Sequence, residues 1–176
     1  MNVSLVVTLI GADRPGLVNA LAECAADCGA NWLDSSMAQL AGKFAGIVRL
    51  EIAEADAGKL EAALGELEVE GLRLTIERGV SHGDGVSRRP TKLELVGHDR
   101  PGIVREISAV LARHGASIQK LQSACENASF SGEPLFRASI EVQVPASVEP
   151  ASLKAELETL ANELMVDLNL EGEAAN

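Results

Sequence analysis

The sequence has few aromatic and few basic residues. Of its 176 residues one is tryptophan, three are phenylalanine and none is tyrosine. Fifteen lysines and arginines stand against 26 acidic residues, which gives a formal net charge of −11. Proteins that bind nucleic acids need a basic surface to hold the phosphates. We therefore expect no direct contact of this chain with DNA or RNA.

Long apolar runs and a disulfide pattern are also lacking. No apolar stretch approaches the ~20 residues that cross a bilayer, and the N-terminus does not resemble a signal peptide. Cys24, Cys28 and Cys125 are an odd number of cysteines without disulfide-like spacing. We expect reduced thiols in a cytoplasmic protein that does not contact membranes. Cys24 and Cys28 continue an apolar helical stripe, so packing is favoured over metal binding.

What the sequence does contain is a repeated eight-residue motif. Residues 11–18 (GADRPGLV) recur as residues 97–104 (GHDRPGIV), with six of the eight positions identical. Alternating apolar residues precede each copy, and an apolar stripe at helical spacing follows it, so each copy is predicted to join a strand to a helix. Self-similarity at this distance indicates a duplicated unit. The chain is therefore expected to contain two domains of the same fold.

Each residue of the motif has a predicted role in the turn from strand to helix. In the first copy, Pro15 suits the first helical position, where a missing N–H does no harm. Asp13 is expected to cap the exposed N–H groups. Gly16 keeps the first turn free of side chains, and an alanine there is expected to be neutral or helpful for the helix. The matching residues of the second copy are given the same roles.

The apolar periodicity predicts the order βαββαβ in each copy. This is the ferredoxin-like α+β architecture, a four-stranded antiparallel sheet with both helices on one face. We place the first domain at residues 1–78, a linker at 79–90, the second domain at 91–171 and an acidic tail at 172–176. The second copy is six residues longer between motif and third strand, and the surplus falls in the hairpin Ser123–Pro134. A tolerated surface insertion and a contact for a protein partner are both open explanations.

No constellation of residues indicates catalysis, a metal or another cofactor. The histidines are scattered at positions 82, 98 and 114, and neither a Ser/His/Asp set nor a phosphate-binding loop is present. The better candidate is the motif turn, since a helix N-terminus offers N–H groups and a positive dipole end to a carboxylate. The alternative is purely structural: the motif caps the helix, and its glycine allows helix and sheet to pack closely.

The motif, the helix ending in Gly-Ala and the polar residue after it together resemble the ACT domain. In that family small βαββαβ modules bind amino acids and act as regulators. A tandem pair over about residues 2–78 and 91–171 resembles the family of glycine cleavage system transcriptional repressors. The resemblance implies an amino-acid effector where the motif turn of one unit meets the second strand of its partner. The residues implied are Asp13, Arg14, Gly16, Leu17, Asn31, Asp99, Arg100, Gly102, Ile103 and Ser117.

Three functions follow from this resemblance. The leading one is a non-catalytic regulator that binds a small amino acid, with glycine as the first candidate, and controls transcription through a protein partner. The second is a regulatory relative of an amino-acid or folate enzyme such as formyltetrahydrofolate deformylase. The third is a dimerisation module without a ligand, and a homodimer is compatible with all three. Because Ser117 reaches less far than Asn31, the two effector sites are expected to differ in affinity.

Overall fold

The computed structural model describes residues 1–67, 71–79, 87–127 and 134–172. It divides into two compact units, Met1–His82 and Gly83–Asn176. Most of the predicted linker and acidic tail lie outside the described residues, as does the tip of the long hairpin. Strand pairing in the second unit begins at Arg88, within the range predicted as linker.

Both units have the predicted order of elements. In unit 1 these are β1 (Asn2–Ala12), α1 (Leu17–Asp27), β2 (Asn31–Leu40), β3 (Lys43–Ala53), α2 (Ala57–Glu66) and β4 (Leu72–Arg78). In unit 2 these are β5 (Arg88–His98), α3 (Ile103–Arg113), β6 (Ser117–Asn127), β7 (Pro134–Pro145), α4 (Pro150–Leu164) and β8 (Val166–Gly172). The strand orders are β2-β3-β1-β4 and β6-β7-β5-β8, with antiparallel pairing throughout. The ferredoxin-like α+β fold is confirmed.

The core of unit 1 lies between one face of the sheet and the two helices. Leu5 and Val7 of β1 are fully buried, because alternate residues of a strand point to the same face. Leu21 of α1 and Leu60 and Leu64 of α2 are buried in the same cluster. Burying each such side chain contributes about 1.5–3 kcal/mol. The predicted core-facing stripes of the helices are confirmed.

Unit 2 builds its core from the matching positions. The apolar face of β7 is buried from Phe136 to Val144, and Ile107 of α3 and Leu157 of α4 pack against it. In unit 1 Cys28 is buried and Cys24 packs beside the core. Burial is the largest cause that raises the pKa of the Cys24 thiol, which makes a thiolate ligand less available. The packing role predicted for these two cysteines is supported.

Each motif helix ends as predicted at a glycine in the left-handed region. Gly29 has φ 76° and Gly115 has φ 65°. The amide of the next residue reaches back into the helix: Ala30 N–H donates to Ala25 O, and Ala116 N–H donates to Leu111 O, both at 2.9 Å. These bonds satisfy carbonyls of the last turn in the manner of a Schellman motif. They also direct the chain into β2 and β6.

The first glycine of each motif, Gly11 or Gly97, allows two strands to approach closely. A Cβ on Gly97 would lie 2.5 Å from Val166 Cγ1, 2.8 Å from Val166 Cα and 2.9 Å from the carbonyl O of Met165. A Cβ on Gly11 would lie 3.0 Å from the carbonyl O of Gly71. The contacts at Gly97 are partly with backbone, which cannot rotate away. A side chain is therefore less tolerable at Gly97 than at Gly11.

We expect Gly97→Ala to lower the free energy of unfolding by about 1–3 kcal/mol, the usual effect of forcing extra volume into a packed site. Gly58→Ala is the matched control, because a Cβ on Gly58 in α2 meets nothing within 4 Å. The control should be neutral or gain up to ~1 kcal/mol. Chemical denaturation of both variants measures the difference, and a Gly97→Ala protein as stable as the control would contradict the packing role.

Candidate functional site

The motif turn is governed by a glycine with a positive φ. Gly16 has φ 91° and ψ −4°, and Gly102 has φ 101° and ψ −9°. These angles are close to those of the third residue of a type II turn, a position that favours glycine and is commonly preceded by proline. The Pro15-Gly16 pair therefore forms the corner at which the chain leaves β1 and enters α1. The second copy repeats the corner.

The predicted capping scheme is wrong in two respects. The helices begin at Leu17 and Ile103, so each proline precedes the N-cap glycine and does not occupy the first helical position. No side chain makes a capping hydrogen bond to either of these described helix starts. Asp13 acts through its backbone: its N–H donates to the carbonyl of Gly42 at 3.0 Å. Asp99 N–H donates in the same way to Pro134 O at 3.0 Å, so each turn is attached to the neighbouring hairpin.

The positive φ also corrects the prediction made for the second motif glycine. A Cβ on Gly16 would meet nothing within 4 Å, and one on Gly102 only Nη2 of Arg105 at 3.7 Å. Close packing of helix on sheet therefore does not explain these two glycines. The expectation that alanine would be neutral there is also wrong, because an L side chain is strained at this φ whatever the space around it.

We expect Gly16→Ala to lower the free energy of unfolding by about 1–2 kcal/mol, the typical strain of a non-glycine residue in the left-handed region. Gly65→Ala in α2 is the control, since its Cβ would also meet open space but its backbone carries no such restriction. Thermal and denaturant unfolding distinguish the two. Equal stability of the two variants would show that the turn relaxes without cost.

The ten residues predicted to bind an effector differ in what they can offer. Asp13, Arg14 and Gly16 are exposed. The side chains of Leu17 and Ile103 are buried in the two cores, so these residues can contact a ligand only through their backbones. The start of α1 is therefore an exposed turn without a side-chain cap, and the buried side chain of Leu17 holds it against the core.

Asn31 and Ser117 lie at the opposite end of their own sheets from the motif turns. Asn31 pairs with Glu51 of β3, whereas Gly11 pairs with Phe44 of the same strand. Seven residues of β3 separate the two pairings, which corresponds to about 23 Å. The pairings of Ser117 and Gly97 on β7 are separated in the same way. Neither unit by itself brings its motif turn together with its predicted polar partner.

The two motif turns differ in their electrostatics. The first turn of α1 contains no acidic residue, whereas that of α3 contains Glu106, which pairs with Arg105. Nη1 of Arg100 donates to the carbonyl of Glu163 near the end of α4 at 3.4 Å. A carboxylate near a helix start competes for its positive end with any anionic ligand. The start of α1 is therefore the better anion site of the two.

The position of Cys125 beside the second motif was not predicted from the sequence. Cys125 is exposed on β6, and its thiol lies near the carboxylate of Asp99. Desolvation first, then the charge of Asp99, raises the pKa of this thiol, so the neutral form is favoured. The six-residue surplus after Ser123 obscured the position of Cys125 relative to the motif. Its pairing with Phe136, which also pairs with Gly97, establishes that position.

His114, predicted on the core-facing stripe, ends α3 beside a carboxylate of α4. Its Nε2 lies 2.7 Å from Oε2 of Glu156, and Nε of Arg113 donates to Oε1 of Glu156 at 3.2 Å. The hydrogen bonding from Arg113, followed by that from His114, lowers the pKa of Glu156. This cluster joins the two helices of unit 2 and lies away from the motif turn.

The lowered pKa of Glu156 predicts a loss of stability in acid. A carboxyl whose pKa is lower in the folded state stabilises the fold above its unfolded pKa, near 4.3, and this contribution disappears as the pH falls through the folded pKa. Glu156→Gln should therefore be less stable than wild type near pH 7 and approach it below about pH 4. Denaturant unfolding over this range measures the difference; a gap that persists unchanged in acid would contradict the assignment.

Metal sites and membrane spans were sought among the residues that the structure describes. Among the described residues no group of three or more His, Cys, Asp or Glu side chains is placed to hold a metal ion. Within the same part of the chain, none of the helices has both the length and the apolar character needed to cross a bilayer.

Comparisons with known proteins agree with this architecture. The ACT domain family matches residues 4–77 and, separately, residues 91–151. The glycine cleavage system transcriptional repressor of Escherichia coli K12 is 26% identical over 164 residues, 91% of this chain and 85% of that protein.

Two solved structures cover nearly the whole chain. The crystal structure of an unknown protein from Galdieria sulphuraria has a TM-score of 0.88 and 31% identity, over 99% of this chain and 100% of that one. The crystal structure described as a putative glycine cleavage system transcriptional repressor has a TM-score of 0.73 and 19% identity, over 99% of both chains. At that identity the second match supports the fold alone.

Proposed function

Because the chain belongs to the ACT domain family, with two domains in tandem, we propose that it is a non-catalytic regulator that binds an amino-acid effector. We further propose that it controls transcription through a protein partner, with glycine as the first effector to test. The single observation that supports effector binding best is the exposed, uncapped start of α1 behind Gly16. Similarity to a transcriptional repressor over 91% of the chain supports the regulatory role.

The start of α1 suits the carboxylate of an amino acid. Its N–H groups carry the positive end of the helix dipole, and no acidic side chain in the first turn opposes an anion. Arg14 and Asp13 are both exposed at this turn. A positive and a negative side chain therefore lie near the place where a bound amino acid would present its carboxylate and its ammonium group. The positive φ of Gly16 makes the turn tight, and the absence of a side chain on Gly16 leaves the N–H groups of the helix start accessible to a ligand.

A complete site needs a second contribution. Since Asn31 lies about 23 Å along the sheet from the motif turn of its own unit, an amino acid cannot touch both within one unit. We propose that the effector is held between a motif turn and the polar first residue of the second strand of another unit. Asn31 or Ser117 supplies that residue. Effector binding then requires two units to associate, so the effector would favour the associated form. A change in association is one way in which effector binding can regulate a protein partner.

The protein partner is inferred from charge. A chain with a net charge of −11 is repelled by the phosphates of DNA, yet its relative is a transcriptional repressor. Contact with DNA through a second protein reconciles the two. A mobility-shift experiment with the isolated chain at moderate salt should accordingly give no shift.

We expect calorimetric titration with the twenty amino acids to identify one small amino acid that binds. Asn31→Ser should weaken the stronger site by about tenfold, the usual effect of losing a hydrogen bond to a charged group. Ser117→Asn gives unit 2 the residue of unit 1 and should strengthen the weaker site. Ser35→Ala, exposed in the middle of β2, is the control.

The outcomes separate the alternatives. If no amino acid gives heat at millimolar concentration, the effector proposal fails and a dimerisation module without ligand becomes the better description. If an amino acid binds but Asn31→Ser and Ser117→Asn behave like Ser35→Ala, binding is real and the proposed site is wrong. Far-ultraviolet circular dichroism of each variant checks that the strands persist.

A further inference from the structure

The side of the unit 1 sheet that faces away from its helices has an uncharged centre. We call it the open face of unit 1. Its two central strands place Thr8 opposite Ile47 and Ile10 opposite Ala45. Ile10 is 44% exposed and Ile47 is 47% exposed. Exposed β-branched apolar side chains next to one another, with no charge between them, are typical of a surface that binds another protein.

The matching face of unit 2 is charged. Glu94 and Ser139 are paired there as Thr8 and Ile47 are in unit 1. Oγ of Ser139 donates to Glu94 at 3.0 Å, and Nζ of Lys92 lies 2.6 Å from the same carboxylate. Arg137 takes the place of Ala45. The same strand positions thus support a solvated ionic network in one unit and an apolar surface in the other, so the fold itself does not require the apolar side chains.

The margin of the open face of unit 1 carries charges of both signs. By the alternation of the strands, its positive residues are Lys43, Arg49 and Arg73, and its negative residues are Asp34, Glu51 and Glu77. Three positive and three negative residues leave the face formally neutral, although the whole chain carries −11. Two copies of such an acidic chain repel one another least where neutral surfaces meet, and this face is one of them. In a two-fold contact each residue of one copy meets a different residue of the other, so a margin with charges of both signs allows opposite charges to pair.

The size of the face suits an isologous contact. Four strands spaced about 4.8 Å apart and about ten residues long present roughly 600 Å² in projection. A stable interface buries about 800 Å² of accessible surface on each partner, with an apolar centre and a polar margin. Accessible area exceeds projected area on a pleated surface, so the two values are comparable.

We propose that the open face of unit 1 is a self-association surface on which a second copy of the chain packs sheet against sheet. Ile10 and Ile47 lie at its centre, and the mixed charges lie at its margin. The proposal goes beyond effector binding. Asn31 pairs with Glu51 and therefore lies on the same face, at one end of β2, whereas Ile10 and Ile47 lie at the centre of the proposed contact.

Analytical ultracentrifugation of the full chain from 1 to 100 μM, without amino acids, tests the proposal. Wild type should show a monomer–dimer equilibrium that higher salt tightens, because salt screens the repulsion of the two net charges. Ile47→Lys should weaken the dimer at least 100-fold, since two lysines would face one another at its centre. Val104→Lys is the matched control: Val104 is an equally apolar side chain, 41% exposed at the start of α3, and the change in charge is the same.

Thr8→Glu provides a second variant that the fold is expected to accept, because unit 2 carries Glu94 at the matching position. It should also abolish the dimer. A wild type that stays monomeric at 100 μM overturns the proposal and leaves the face to a different partner. A dimer that survives in both Ile47→Lys and Thr8→Glu, with unchanged melting temperature, overturns it as well.

Discussion

Each unit depends on one backbone conformation, the positive φ of the glycine between its first strand and first helix. The chain must reverse direction within a few residues and still place the next residue, Leu17 or Ile103, in the core. A left-handed glycine makes this possible, since other residues reach that region only with strain. The bond from the motif Asp N–H to the hairpin of the second strand fixes the corner in place. Helix direction, the packing of the helix on the sheet and the exposure of the helix start all follow from this corner.

A shared skeleton does not give the two units the same surface. Both have the same strand order, the same corner and the same glycine at the end of the first helix. Among their differences are side chains that point away from the core: an ionic network replaces Thr8 and Ile47 on the open face, and Glu106 stands at the start of α3 only. Because the core determines the fold and the surface determines binding, the two units can have separate functions without a change of architecture.

The sequence was sufficient for the fold because two periodicities and a repeat specify it. Alternating apolar residues marked the strands, helical stripes marked the helices, and the second copy confirmed each assignment. The corner was predicted less well. A glycine after Asp-Arg-Pro fits both a helix that starts at the proline with the aspartate as its cap and a type II turn, and only the φ of Gly16 separates them. The role of Gly97 was also hidden, since its close neighbours Met165 and Val166 lie nearly seventy residues away in the sequence.

The position of Asn31 could have been predicted and was not. Asn31 follows Gly16 by fifteen residues, and this nearness in sequence favours a common site. However, α1 has 11 residues, and a helix of that length carries the chain about 16 Å back along the strand that precedes it. The polar residue must then start the second strand at the far end of the sheet. This geometry is why an effector that contacts both places requires two units. Because Asn31 pairs with Glu51, it stands at one end of the open face of unit 1, whereas Ile10 and Ile47 stand at its centre. Effector binding and self-association, as proposed, therefore involve different residues and can be tested by separate substitutions.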